Sequence, residues 1–91
     1  MRRAFANRVD ESEKPLVAYA KSIGFGYAKN GGDWDGDLYL GRFVVPTEWK
    51  TPKKGTLTTK QAKLIAEGFP LRFISTPAQL DALKAELLRA A

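Results

Sequence analysis

Apolar residues recur at helical spacing near the start of the chain. Leu16, Val17, Ala20 and Ile23 fall on one face of a helix that the pattern places over residues 10–24. Asp10 or Ser12 can cap its start, acids fill its first turn, and Gly24 suits its C-terminal end. Pro15 is tolerable because it lies close to the start. The period then changes. Residues 25–29 read as a short strand, and residues 30–36 are a turn rich in Gly, Asn and Asp. Residues 37–42 alternate and carry aromatic and aliphatic side chains, so they predict a second strand. Residues 43–50 predict a third, with Gly41 and Arg42 as the turn between the two. Pro46 cannot donate to a ladder and implies an edge or a bulge there.

Helical spacing returns over residues 57–68, with Thr58 as N-cap, Gln61 at the third position and Gly68 past the end. Residues 70–75 predict a further strand. The last helix starts at Thr76 and Pro77, carries Gln79 at its third position, and shows an apolar stripe of Leu80, Leu83 and Leu87. The order is αβββαβα. A helix, a three-strand meander and a crossover helix into a fourth strand predict an α/β fold with a mixed sheet flanked by helices. A parallel third and fourth strand would be joined by a right-handed crossover.

Length and composition narrow the options. With 91 residues the chain predicts a single domain, 1–91, and residues 1–8 read as a flexible basic arm. A domain of this size buries only about 60–65% of its unfolded surface, so a partner subunit would help it. No apolar run approaches a membrane span, and the N-terminus lacks the apolar core of a secretory signal; the expected location is the cytoplasm. The sequence has no Cys and no His, which removes thiolate metal sites and the commonest general base. Catalysis, if there is any, falls to carboxylates, lysines, hydroxyls and a hard metal ion. The net charge of +5 favours a polyanionic partner, nucleic acid first.

Against that basic balance, acids gather in one stretch: Asp33, Asp35 and Asp37, then Glu48 followed two residues later by Lys50. Alternation puts Glu48 and Lys50 on one face of their strand, and Val45, Thr47 and Trp49 on the other. Asp37 opens the neighbouring strand, so a tight hairpin sets it near Glu48 and Lys50. Two carboxylates side by side repel unless a cation sits between them. Mg²⁺ suits such a site because it takes oxygen ligands and keeps waters and phosphates in its shell. A lysine beside it can hold an attacking water or stabilise charge on a phosphate. The plainer alternative is a turn acid at Asp37 and a solvated ion pair of Glu48 with Lys50.

Residues 31–50 followed by "GTLTTKQ" resemble the nuclease motif of the PD-(D/E)XK superfamily. The likeness is greatest to its small, phage-type virus-type replication-repair nuclease (VRR-NUC) members. "RVD" at 8–10, "LVAYAKSIGF" in the first helix and "FIST" near the end fit the same order. The resemblance implies a restriction-endonuclease-like αβββαβ core with a C-terminal helix. It implies Asp37 and Glu48 as ligands of Mg²⁺ or Mn²⁺, with the carbonyl of Trp49 as a third. Lys50 would be the catalytic lysine. Gln61 would place the nucleophilic water or contact the DNA backbone; it is equally the third residue of a capping box with Thr58. Three positions depart from the pattern. Gly36 stands where the motif has proline, and Pro46 lies inside the catalytic strand. Pro15 stands where a first-helix glutamate often reaches the metal, and Glu13, two residues earlier, is expected on the wrong face.

Positive charge accompanies the acids. Arg42, Lys53, Lys54, Lys60 and Lys63 join Lys50 around the expected active end, in a segment suited to phosphates and leading into a helix N-terminus. Each lysine singly is an ordinary surface charge. Trp34 can stack on an unpaired base or pack under the sheet. No motif for reading base edges is present, so binding is expected to follow DNA shape. The resemblance implies a homodimer, phage-encoded in origin, that acts on branched DNA such as a Holliday junction. Two other readings stand beside the metal-dependent endonuclease. One is a non-catalytic nucleic-acid-binding module on the same fold, and the other is a small structural or regulatory interaction protein.

Overall fold

The computed structural model describes residues 13–49 and 57–91. Its elements follow the expected order: α1 (Glu13–Ser22), β1 (Gly26–Lys29), β2 (Gly36–Leu40), β3 (Phe43–Glu48), α2 (Thr59–Ala66), β4 (Arg72–Phe73) and α3 (Pro77–Ala90). The basic arm at 1–8 and the caps Asp10 and Ser12 lie outside the described residues, as do Lys50, Lys53 and Lys54.

The four strands form one sheet in the order β1-β2-β3-β4. β1, β2 and β3 are a meander of antiparallel pairs, and β4 lies parallel to β3, so the sheet is mixed. Two of the helices end alike. Phe25 N–H bonds back to Ala20 and Gly24 N–H to Lys21; Phe69 N–H bonds to Leu64 and Gly68 N–H to Ile65. Both are Schellman closures, which need a left-handed residue at the turn; Gly24 has φ 108° and Gly68 φ 93°. α2 and α3 each begin with the expected capping box, Thr58 with Gln61 and Thr76 with Gln79.

Cross-strand partners share a face of a sheet. Leu38 pairs with Val45, and both are buried with Thr47 and Trp49 on the face that meets α1 and α3. There Leu16 and Ala20 of α1 interlock with Leu80, Leu83 and Leu87 of α3. Polar ties reinforce the layer at its rim. Tyr19 Oη donates to Asp81 at 2.7 Å, and Lys84 Nζ donates to the Ile23 carbonyl at the C-terminal end of α1. Arg72 of β4 pairs with Glu86 of α3 and holds that carboxyl below its ordinary range.

Two details differ from the sequence reading. The expected strand at 70–75 is only Arg72–Phe73, although Ile74 N–H still reaches the Glu48 carbonyl at 2.9 Å. Pro46 is buried in an interior strand and opposes Asp37 in an unbroken register, with no bulge. β4 flanks β3 only at Thr47 and Glu48, so at Pro46 the strand has a neighbour on one side alone. The edge alternative therefore holds locally, and the missing N–H interrupts no pairing with β4.

Candidate active site

The acid-bearing end of the sheet is built by β2, β3 and the turn before β2. Asp37 pairs with Pro46, so Glu48 is its diagonal neighbour on the same face, opposite the Leu38 and Val45 core. Such neighbours stand about 7–8 Å apart at the backbone. Ligating oxygens on one octahedral Mg²⁺ approach to about 3 Å, and the Asp and Glu arms can close that difference. Both residues are half-buried, so the charges keep access to water and ligand.

The turn at 30–35 does more than connect strands. Trp34 Nε1–H donates to Asp37 Oδ1 at 2.9 Å, and its ring lies 4.9 Å from that of Phe69, just beyond α2. Trp34 thus packs on Phe69 and is half-buried. Asp35 Oδ2 accepts the Trp49 N–H at 2.8 Å, pinning the main chain next to Glu48. Asp35, read from sequence as a turn residue, has a structural task at this end of β3. Its spacing from Asp37 offered no sign of it, because the partner is fourteen residues away.

α2 attaches to the same turn. Gln61 is buried; its Nε2 donates to the Asp33 carbonyl at 2.8 Å, and its Oε1 lies 3.5 Å from the Thr58 N–H. The capping role of Gln61 is therefore formed, and its amide also clamps the acidic turn. Lys60 stands 3.7 Å from Asp33 Oδ2, and Lys63 is exposed one turn further on. Lys60 is thereby carried beside the acidic turn. Arg42 is not. It occupies the opposite end of the β2–β3 hairpin, six residues before Glu48, about 20 Å along a strand rising about 3.3 Å per residue. Its guanidinium lies 6.0 Å from the Phe43 ring centroid. The expected ring of charge around one end thus loses Arg42, because a hairpin sends its turn away from its open end.

Trp49 is 1% exposed and faces the core as expected, with Nε1–H donating to Tyr27 Oη at 2.9 Å. Tyr27 in turn explains Gly36. A Cβ built on Gly36 would collide with the Tyr27 ring and hydroxyl. A proline at this position, as in the PD motif, would displace Tyr27 from Trp49.

Glu13 lies on the core side of the sheet with Tyr27 and Lys29, away from the face of Asp37 and Glu48. It is 6% exposed and shares the inward stripe of Leu16 and Ala20, whereas Pro15 looks to solvent. The stripe at i, i+3 and i+7 is what meets the sheet. Lys29 Nζ pairs with Glu13 at 3.0 Å. Burial pushes the Tyr27 phenol up to about 12; the Trp49 N–H opposes this, and the charges of Glu13, Asp35 and Asp37 add to it.

The unfolded phenol ionises at its ordinary value near 10, and the folded one near 12. From pH 10 to 12 the unfolded chain has lost a proton that the folded chain retains. Stability therefore falls with pH across that window and is unaffected by this group below it. Tyr27→Phe removes the contribution. Urea melts of both proteins at pH 9 and pH 11.5 are expected to show the larger loss in the wild type; equal losses would refute the assignment.

The donors suit a hard divalent cation: two carboxylates on one face, one already oriented by an N–H. Among the described residues no group of three or more acids could hold a metal ion. Also among the described residues, no helix is long and apolar enough to cross a membrane. No protein-family model, curated protein or solved structure matches the chain.

Proposed function

We propose that the protein is a metal-dependent, structure-selective DNA endonuclease of Holliday-junction-resolvase type, which hydrolyses phosphodiester bonds. The observation that carries this reading is the sharing of one sheet face by Asp37 and Glu48, with α2 fastened to the same turn through Lys60 and Gln61. Bound Mg²⁺ or Mn²⁺ would neutralise the scissile phosphate and make a bound water more acidic. Asp37, Glu48 and the Trp49 carbonyl would hold it. Lys50 would orient the attacking water or offset charge on the phosphate. Lys60 and Lys63, with Lys53 and Lys54, would contact backbone phosphates around the cut, and Arg42 would meet a separate phosphate at the far end of the hairpin. A homodimer would present two such sites to the two strands of a symmetric junction.

The second reading, a non-catalytic nucleic-acid-binding module on this fold, draws support from Gln61. Its amide is engaged at both ends, which leaves its helix a structural duty. One assay separates the two. Labelled four-way, flap and linear duplex DNA are incubated with the protein, with and without Mg²⁺ or Mn²⁺, beside Lys50→Ala. Metal-dependent cleavage of branched DNA that is lost in the variant is expected. Junction binding without cleavage would favour the binding module. Failure to bind DNA at about 100 mM salt would point to an interaction protein instead.

A further inference from the structure

We infer that Trp34 is a positioning residue for Asp37, an inference that rests on the nuclease reading above. A carboxylate on a strand has two free torsions and many orientations, so a metal ligand gains from a partner that fixes one oxygen. Trp34 Nε1–H is that partner for Asp37 Oδ1, at 2.9 Å. The indole is itself held: its ring rests on Phe69, and the carbonyl of the preceding residue, Asp33, is clamped by the buried amide of Gln61. One residue after Trp34, Asp35 secures the Trp49 N–H. The turn therefore fixes both acid-bearing strands: Trp34 sets the Asp37 side chain, and Asp35 sets the main chain beside Glu48. An indole does this where a phenyl ring cannot, because the ring supplies the packing and the N–H supplies the aim. With one oxygen so engaged, the other oxygen of Asp37 is left for a ligand in a restricted orientation.

The test uses Mn²⁺ alone, titrated calorimetrically into the full chain, with Trp34→Phe as the variant that keeps a ring against Phe69. Mn²⁺ affinity is expected to fall about 10–100-fold, the usual cost of removing an outer partner of a metal ligand. The melting temperature without metal should stay close to that of the wild type, which separates aim from folding. Phe69→Leu loosens the seat but spares the N–H, and a smaller loss in the same direction is expected. A second readout needs no metal. The indole N–H of Trp34 should exchange slowly with solvent in the wild type and faster in Asp37→Ala. Unchanged Mn²⁺ affinity in Trp34→Phe would overturn the positioning role and leave the nuclease reading standing. No Mn²⁺ binding by the wild type would overturn both.

Discussion

Replacing Asp37 by Asn is expected to lower Mg²⁺-dependent cleavage of a four-way junction by about 10²–10³-fold, since a metal's stabilisation of transition-state charge is worth several kcal/mol. The substitution is nearly isosteric. Its amide oxygen can still accept from Trp34 Nε1–H, so the local structure should persist. What goes is the negative charge that draws the ion. DNA binding should be unchanged or tighter, because one repulsive charge near the phosphates has been removed. Gel-shift and cleavage measurements on the same preparation check both halves. Weaker DNA binding together with lost cleavage would indicate a folding defect, and undiminished cleavage would remove Asp37 from the site. Mg²⁺ should also raise the melting temperature of the wild type by mass action, and that rise should be absent in the variant.

The largest effect on stability is expected at the seam between α3 and the sheet. Leu80 is fully buried among core residues from α1, β2 and β3. Leu80→Ala should cost about 2–5 kcal/mol through lost transfer energy and the cavity left behind. Small domains have roughly 5–15 kcal/mol in all, so this is a large share. At about 4–8 °C per kcal/mol for a chain of this size, the melting temperature should drop by at least about 8 °C. Leu88→Ala, in the same helix but 58% exposed, is the internal control and should change little. Thermal melts followed by circular dichroism decide it; similar drops in both variants would mean that α3 packs in another rotation.

The elements were legible because their signals are local. Leu80, Leu83 and Leu87 repeat at helical spacing, Thr58 and Thr76 sit three residues before Gln61 and Gln79, and Gly24 and Gly68 end their helices. Each is decided within a few residues. The pairing of Asp37 near Glu48 was also within reach, since a two-residue turn at Gly41 and Arg42 fixes the register. The same turn sets Arg42 away from the acid end, a strand's length from Glu48. Other features depend on distant partners and leave no local trace. Gly36 is required by Tyr27, nine residues away, and Asp35 is bound to Trp49. Lys50, Lys53 and Lys54 lie outside the described residues.

α2 is the most weakly buried of the three helices: Gln61 alone is buried in it, and Ile65 is 39% exposed. Its grip on the rest runs through Asp33, Trp34 and Phe69. Segments with so little burial open at a lower free energy than the core and do so as a unit. If α2 peels away while α1, α3 and the sheet stay folded, Trp34 loses its seat and Asp37 its aim. The site would then switch off on warming before the protein melts, so that the upper temperature limit of activity belongs to one short helix and the melting point to the leucines beneath the other face.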